Sequence, residues 1–546
     1  MGGPTHDVTN QPPPLESYNL FEEDRPLAEA VRREGAGWAE PDLAALGKVA
    51  GTAETLRLGE EANRHPPVLR THDRYGRRID EVEFHPSWHH LMRLSVGHGV
   101  HALPWREPRP GAHAARAAAM ILTSEVEAGH GCPISMTYAA VPALRAQPDL
   151  AAEWEPRLTS LTYDPRLVAP AEKAGALCGM AMTEKQGGSD VRASTTRAEP
   201  TGAEGEYALT GHKWFCSAPT SDAFLVLAQA PAGLTCFLLP RVLPHGSRNG
   251  FLIQRLKDKL GNRSNASAEI ELEAAWARRL GEEGRGVQAV IEMVNHTRVD
   301  CVLGSAGLIR RAVAEATHHA AHRSAFGTLL VDQPLMRNVL ADLCLESEAA
   351  TLTAMRLARA VDEGERSEDA ALLKRLAVAV GKYWVTKRAV GAVAEALECL
   401  GGNGYVEESG LPRLYRETPL NSIWEGSGNV NALDVLRVVT RTPAAMDALL
   451  AEVDLAAGGD ARLDAHVAGL RRELGGHADP EAGARRIAED LALALQGSLV
   501  VRHSPDDVAD AFCASRLGDE RGRSYGTLPA GTDSEAIVDR HRPRLG

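Results

Sequence analysis

One loop of the sequence has the composition of a site for a planar heterocycle or a phosphate. The loop reads MTEKQGGSDV, from Met182 to Val191, and it follows a strand-like run. Its glycines, hydroxyls and amide donors would let backbone N–H groups approach a ring or a phosphate closely. An ordinary Gly-Gly turn between two strands has the same composition. Both interpretations stay open at this level.

A second segment, GHKWFCS from Gly211 to Ser217, supplies an aromatic ring and a hydroxyl three residues apart. In a regular strand, side chains three residues apart point to opposite faces. We therefore expect Trp214 and Ser217 to face away from each other. A tryptophan in the core of the sheet is the alternative interpretation.

General catalytic and metal-binding motifs are missing from the chain. There is no P-loop, no G-x-S-x-G and no H-E-x-x-H. His318 and His322, like His85 and His89, are four residues apart, as two ligands on one helix face would be. Neither pair is accompanied by a third potential ligand at a spacing typical of a metal site. No metal site is predicted.

Composition places the chain among globular proteins of a reducing compartment. Its 546 residues are 44% hydrophobic and 24% charged, with a net charge of −13. Such a balance excludes a globally basic nucleic-acid binder. The eight cysteines include no C-x-x-C pair, so neither a disulfide framework nor a zinc ribbon is expected. No secretory signal or bilayer-spanning run is visible, which predicts a cytoplasmic protein without membrane contact.

The order of helical and β-type sequence patterns along the chain predicts an α+β protein that is mainly α. Helical spacing dominates residues 1–175, and short β-type runs punctuated by Gly, Pro and Asn fill 176–280. Long helical segments with short connections return over 281–442 and predict a helical bundle. An extra helical region with a polar tail covers 443–546. These four ranges are the predicted domains.

Taken together, the first two segments resemble the flavin-contacting loops of the acyl-CoA dehydrogenases. Three further motifs of that family follow in its order: RSAFGTLLVDQP (Arg323–Pro334), LGGNGY (Leu400–Tyr405) and NSIWEGSGNV (Asn421–Val430). The likeness implies an N-terminal helical domain, a middle β-barrel or sheet domain and a C-terminal four-helix bundle. VTNQPPPL, FHPSWHHLM, LKDKLGNRSNAS and the appendix after residue 442 are similar to the longer AidB-like branch, associated with the response to DNA alkylation.

The resemblance also implies an activity and a cofactor. The family oxidises acyl-CoA thioesters with FAD, as a homotetramer in which Arg323 and Phe326 would reach the FAD of a neighbouring subunit. Glu425 would be the catalytic base; its alternative is a carboxylate stabilised by the dipole of the following helix. Substrate contacts would come from Ser189, Arg298, Trp424 and Arg437. The implied cofactor-binding residues are Met182, Thr183, Gln186, Gly188, Ser189, Trp214, Ser217, Arg323, Phe326, Gln333, Gly401, Gly402, Ser427 and Asn429.

Several positions depart from the family pattern. One branch carries its base just before an arginine that matches Arg298, but Thr297 stands there and is no carboxylate base. Glu398 replaces a common glutamine beside the Gly401 turn, and Gln333 comes one residue early in its motif. Trp424 replaces the commoner tyrosine. A crowded, charged pocket would suit ordinary fatty acyl chains poorly, so a DNA-binding protective flavoprotein with little turnover is the alternative function.

The AidB-like branch implies duplex DNA as a partner of the C-terminal region. Residues 445–546 carry 12 arginines and no lysine against 18 acidic residues, a net charge of −6. Phosphate binding needs clustered cations. The candidates are Arg540, Arg542 and Arg544 in the tail and the basic run of residues 370–394, for which a solvated or internally paired helix face is the alternative.

Overall fold

The computed structural model describes residues 5–473, 481–519 and 522–545. The chain divides into two compact units. We call Glu54–Asp300 the barrel unit, and Met1–Ala53 together with Cys301–Gly546 the bundle unit. This division is coarser than the four predicted domains, whose boundaries stay a prediction.

The predicted mainly helical α+β fold is confirmed. Three helices exceed thirty residues, and short capping signals separate them: Pro334 occupies the first turn of one, and the Ser367 hydroxyl accepts the Ala370 N–H at the start of the next. In chain order the helices are α1 (Arg25–Arg33), α2 (Glu40–Ala50), α3 (Ala53–Arg64), α4 (Pro86–Gly97), α5 (Leu103–Arg106), α6 (Ala112–Val126), α7 (Gly131–Arg145), α8 (Pro148–Leu158), α9 (Gly286–His322), α10 (Pro334–Gly364), α11 (Glu368–Cys399), α12 (Gly402–Tyr405), α13 (Leu411–Asn421), α14 (Gly428–Arg441), α15 (Pro443–Asp454), α16 (Ala461–Glu473), α17 (Ala484–His503), α18 (Asp506–Arg516) and α19 (Ser534–His541).

The strands lie mostly where short β-type runs were predicted. The strands are β1 (Val68–His72), β2 (Arg78–Glu83), β3 (Cys178–Ala181), β4 (Arg197–Pro200), β5 (Glu206–Ser217), β6 (Ala223–Ala230), β7 (Gly233–Pro240), β8 (Phe251–Leu256), β9 (Ser267–Leu280), β10 (Ser324–Ala325) and β11 (Thr328–Leu329). The β1–β2 hairpin interrupts a region that the sequence predicted to be helical. Its short alternating runs are too brief to stand out among the surrounding helices.

The seven-stranded sheet of the barrel unit closes on itself. Its order is β3-β6-β4-β5-β9-β7, β7 pairs back to β6, and β8 extends β9. Inward-facing aromatic and branched side chains fill its centre, among them Phe224, Phe237, Phe251 and Ile270. This packed interior holds β5 and the loop after β3 in place.

In the bundle unit, α11 is the central helix. It packs against α10, α13, α14, α15 and α17, so the helices after residue 442 share its surface with those before. None of the described helices is long and apolar enough to cross a bilayer. All eight cysteines are buried, and none of them forms a disulfide. The described residues contain no cluster of three or more His, Cys, Asp or Glu able to hold a metal ion.

Candidate functional site

The Met182 loop of the barrel unit is anchored by a buried ion pair. Lys213 on β5 lies 2.8 Å from the Glu184 carboxylate, and both side chains are fully buried. The same carboxylate accepts the backbone N–H groups of Thr195 and Thr196 at 2.7 and 3.2 Å. Burial raises the pKa of Glu184, but Lys213 and these donors outweigh it and hold the pKa well below its usual range. The Glu184–Lys213 ion pair and these hydrogen bonds therefore fix the conformation of the loop.

A bulge in β5 places Trp214 and Ser217 on one face, which corrects the expectation that they point apart. Lys213 pairs with Ile270 and Cys216 with Ala268, so β5 carries one extra residue between these positions. The bulge shifts the alternation by one residue. Lys213 and Cys216 are both fully buried although they are three apart. Trp214, next to Lys213, thus shares the other face with Ser217.

The loop and β5 are joined at Trp214. The backbone N–H of Trp214 donates to the Thr183 carbonyl at 2.8 Å. A side chain at position 188 would come within 2.4 Å of the Thr183 hydroxyl, so Gly188 is needed for this close approach. The Lys257 ammonium lies 3.3 Å from the centroid of the Trp214 ring. Met182 and Trp214 are half-buried, whereas Gln186 and Ser189 are exposed.

In the bundle unit, Glu425 occupies a strained turn between α13 and α14. Its φ is +56°, in the left-handed region that non-glycine residues rarely adopt, and Gly426 follows with φ +96°. Such strain costs on the order of 1–3 kcal/mol and is concentrated at functional sites. Glu425 precedes α14 by three residues and stands in the turn, outside the helix.

Buried polar groups hold this turn in its strained form. The Lys382 ammonium, on α11 and almost fully buried, donates to the Gly426 carbonyl at 2.6 Å. The Asn431 amide donates to the same carbonyl at 2.6 Å. On the other side, the Trp424 indole N–H donates to Asn421 at 3.1 Å, and Asn421 donates to Ser305. The turn is thus fixed on both flanks of Glu425.

The Arg323 motif forms a two-residue hairpin with Phe326 at its tip. Phe326 and Gly327 have φ values of +55° and +86°, as a tight hairpin turn requires. The Phe326 side chain is 100% exposed. The Gln333 amide donates to the Ala325 carbonyl at 2.9 Å, which gives Gln333 a bracing role in the hairpin that the sequence did not predict.

The remaining cofactor and substrate candidates of the bundle unit differ in their surroundings. Gly401 follows Leu400, the C-cap of α11, and has φ +59° in the turn that leads into α12. Asn429 accepts a hydrogen bond from Arg485 on α17 at 2.8 Å. Arg437 is 57% exposed and pairs with Asp434. Gly402 lies in α12, and Ser427 stands at the N-terminal end of α14. Of the predicted substrate residues, Arg298 belongs to the barrel unit and is buried.

The predicted nucleic-acid contacts are engaged within the bundle unit. Arg540 is 11% exposed and pairs with Glu29 and Glu348. Arg542 pairs with Asp539. The backbone N–H of Arg544 donates to the Glu23 carboxylate. The basic run of α11 behaves as its alternative interpretation predicted: Lys382 is buried, Arg375 pairs with Asp434 and Arg388 with Glu346. These positions argue against phosphate binding by Arg540 and by the run.

Protonated His541 on α19 stabilises the fold, and this stabilisation is lost at alkaline pH. Burial alone would lower the pKa of His541, but Cys344 and the Glu348 carboxylate, 3.0 Å away, raise it to about 10. The stabilisation is complete below the ordinary pKa of 6.5 and is lost as pH rises through 10. We expect His541→Gln to lower Tm most near pH 6, with a deficit that shrinks toward pH 10 in thermal unfolding scans. A deficit that stays constant over this range would contradict the linkage.

Sequence reasoning missed the residues that support the site. Lys213 and Glu184 stand inside the two recognised segments, and the signal was a lysine in an otherwise apolar strand. Lys382, a lysine in a mostly apolar stretch of α11, gave the same kind of signal. Asn10, described below, gave none beyond its place in the N-terminal segment VTNQPPPL.

The comparisons with known proteins agree with this architecture. Three family models match: the adaptive response protein AidB N-terminal domain over residues 10–165, the acyl-CoA dehydrogenase middle domain over 179–275 and its C-terminal domain over 284–440. The chain is 48% identical to AidB of Escherichia coli (strain K12) over 520 residues, 95% of either chain. It is 31% identical to acyl-CoA dehydrogenase family member 11 of Caenorhabditis elegans, over 89% of this chain and 86% of that one.

A solved structure shares the fold over nearly the whole chain. It is ACDH-11 of Caenorhabditis elegans in complex with C11-CoA, with a TM-score of 0.87, 28% identity and coverage of 98% and 97%. The chain belongs to the acyl-CoA dehydrogenase family, whose members are oxidoreductases acting on CH–CH groups. Within that family it belongs to the AidB-like branch, as the N-terminal match and the identity to the Escherichia coli protein show.

Proposed function

We propose that this protein is an FAD-dependent acyl-CoA dehydrogenase in which Glu425 is the base. The observation that carries the proposal is the turn itself, since Glu425 is held at φ +56° by groups buried on both sides. The Glu425 carboxylate takes the proton from the carbon α to the thioester carbonyl. FAD, when bound, supplies the acceptor for the hydride that leaves the β carbon. The products are the 2-enoyl-CoA and the protonated carboxyl.

The residues present fit the cofactor. Gly188 packs closely against the Thr183 side chain with no side chain of its own, and the backbone N–H of Trp214 donates to the Thr183 carbonyl. Backbone that lacks a side chain, as at Gly188, lets a planar ring approach closely. Trp214 would pack against the flavin ring. Met182, Thr183 and Ser217 would contact the flavin from this side. Ser189 would meet the CoA portion of the substrate, and Arg298 and Trp424 remain further candidate substrate contacts.

The proposal includes self-association as a homotetramer. Phe326 is fully exposed at the tip of its hairpin, where a second copy of the chain would cover it. In the proposed homotetramer, Phe326 and Arg323 of each copy contact the FAD of another copy. Gly401, Gly402, Ser427 and Asn429 would complete the adenosine side of that site.

An acyl-CoA panel tests the proposal. We expect the purified protein to carry one FAD per chain and to lose its visible flavin absorbance when an acyl-CoA of the right length is added anaerobically. The matching 2-enoyl-CoA should appear in equal amount by mass spectrometry. A chain that binds no FAD would contradict the proposal, and so would a flavin that no acyl-CoA reduces.

The response to DNA alkylation, which the branch resemblance implies, lacks comparable support. Of the three tail arginines singled out for phosphate contact, Arg540 and Arg542 are already paired with carboxylates within the bundle unit. The acyl-CoA activity is therefore the one function we propose.

A further inference from the structure

A short N-terminal segment is bound to the Arg323 hairpin within the bundle unit. Asn10 donates from its amide to the Ser324 carbonyl at 2.8 Å and accepts the Ser324 N–H at 2.7 Å. The Arg323 guanidinium donates to the Asn10 carbonyl at 2.5 Å. Asn10 itself has φ +56°, a conformation that asparagine tolerates better than most residues. Its side chain thus pairs with the hairpin as a neighbouring strand would.

The same segment is fixed at several further points. Gln11 accepts a hydrogen bond from Asn403, beside the Gly401 turn, at 3.4 Å. His318 on α9 donates to the Pro13 carbonyl at 2.8 Å. Arg311, about two turns before His318 on the same helix, donates to the Leu15 carbonyl at 3.3 Å. Residues 10–15 therefore connect two turns that carry cofactor candidates and are themselves held to a long helix.

The hairpin needs such support. Each of its strands, β10 and β11, has only two residues, and an isolated two-stranded hairpin is marginally stable in water. Gln333 and Asn10 both brace β10, Gln333 through the Ala325 carbonyl and Asn10 through the backbone of Ser324. The backbone carbonyl of Asn10 also accepts from the Arg323 guanidinium, and the Asn10 side chain keeps that carbonyl beside the hairpin.

We propose that Asn10 is a positioning residue for cofactor binding, which it serves by holding the Arg323–Phe326 hairpin in its binding conformation. The inference rests on the proposed function, in which this hairpin contacts FAD. Asn10 acts through Arg323 and Phe326 and has no contact with the reacting atoms. The N-terminal segment is then part of the flavin-binding apparatus.

Four variants of the full chain test this inference by FAD titration of the apoprotein, followed by flavin fluorescence. Asn10→Gly keeps the left-handed backbone and removes both side-chain hydrogen bonds. We expect its Kd for FAD to rise about tenfold, the loss of roughly one net hydrogen-bond pair. Arg323→Ala should weaken FAD at least as much. In the double variant the two effects should not add, because Asn10 acts through the hairpin.

Asn338→Ala is the matched control. Its amide bridges the N–H and carbonyl of Leu528 at 3.1 and 3.2 Å, the same pattern in the same unit but away from the hairpin. Its Kd for FAD should equal that of the wild type. An effect of Asn10→Gly that Asn338→Ala reproduces, or that adds fully to Arg323→Ala, would overturn the inference as a general loss of stability.

Two other outcomes separate the inference from the proposed function. If Arg323→Ala binds FAD normally, the hairpin has no cofactor role and the proposed site fails. If Arg323→Ala weakens FAD but Asn10→Gly does not, the positioning role alone is refuted. Should Asn10→Gly not fold, Asn10→Asp replaces it, since a carboxylate keeps the acceptor but opposes the Ser324 carbonyl. Wild-type affinity in that variant would equally overturn the inference.

Discussion

We expect the replacement of Glu425 by glutamine to lower the rate of flavin reduction by acyl-CoA by about 10³-fold, within the range a general base contributes. Glutamine has nearly the same size and keeps the backbone at φ +56°, so the turn between Lys382 and Asn431 is retained. FAD content and Tm should be unchanged. Anaerobic stopped-flow measurement of the visible flavin band gives the rate directly.

Glu407→Gln provides the control for a lost carboxylate in the same unit. Glu407 is 67% exposed and pairs with Arg416 at the surface, where an ion pair contributes little. Its reduction rate should match the wild type. A Glu425→Gln protein that reduces its flavin within tenfold of the wild-type rate would remove Glu425 from the role of base.

Breaking the ion pair beneath the Met182 loop has the largest expected effect on stability. Glu184→Gln leaves the Lys213 ammonium buried without its counter-charge and weakens the bonds from Thr195 and Thr196. Loss of one partner of a buried pair costs about 3–5 kcal/mol, which corresponds to a Tm lower by roughly 10 °C. The loop should also lose its shape, so that the Kd for FAD rises.

Glu83→Gln is the matched control in the barrel unit. Glu83 pairs with Arg70 at 3.1 Å, but both side chains are more than half exposed. An exposed pair contributes at most about 1 kcal/mol, and thermal unfolding should barely change. Equal Tm values for Glu184→Gln and the wild type would show that the Glu184–Lys213 pair does not support the loop.

Much of the fold was predictable because its signals are local and repeated. Long helical periodicity identified α9, α10 and α11, and short punctuated runs identified the barrel strands. The glycines of LGGNGY marked the end of α11, where Gly401 has φ +59°. These features depend on residues close in the chain, so spacing alone carries them.

The parts that escaped prediction depend on residues far apart in the chain. A bulge opposite β9 reversed the predicted orientation of Trp214 and Ser217, and one-residue shifts of this kind leave no mark in the strand's own pattern. Arg540 looked like a free cation of the tail, but Glu29 and Glu348 lie more than 190 positions away in sequence. Asn10 meets Ser324 across 314 positions. Composition cannot reveal such partners.

In the proposed function, Glu425 faces the α carbon of a thioester whose β carbon faces the flavin. The most direct measurement is the structure of the FAD-loaded protein with a 3-thia-acyl-CoA, an analogue that binds without completing the reaction. We expect a Glu425 carboxylate oxygen roughly 3–3.5 Å from the analogue's α carbon, with Trp214 against the flavin ring. An analogue bound with Glu425 turned away, or a flavin seated elsewhere, would contradict it.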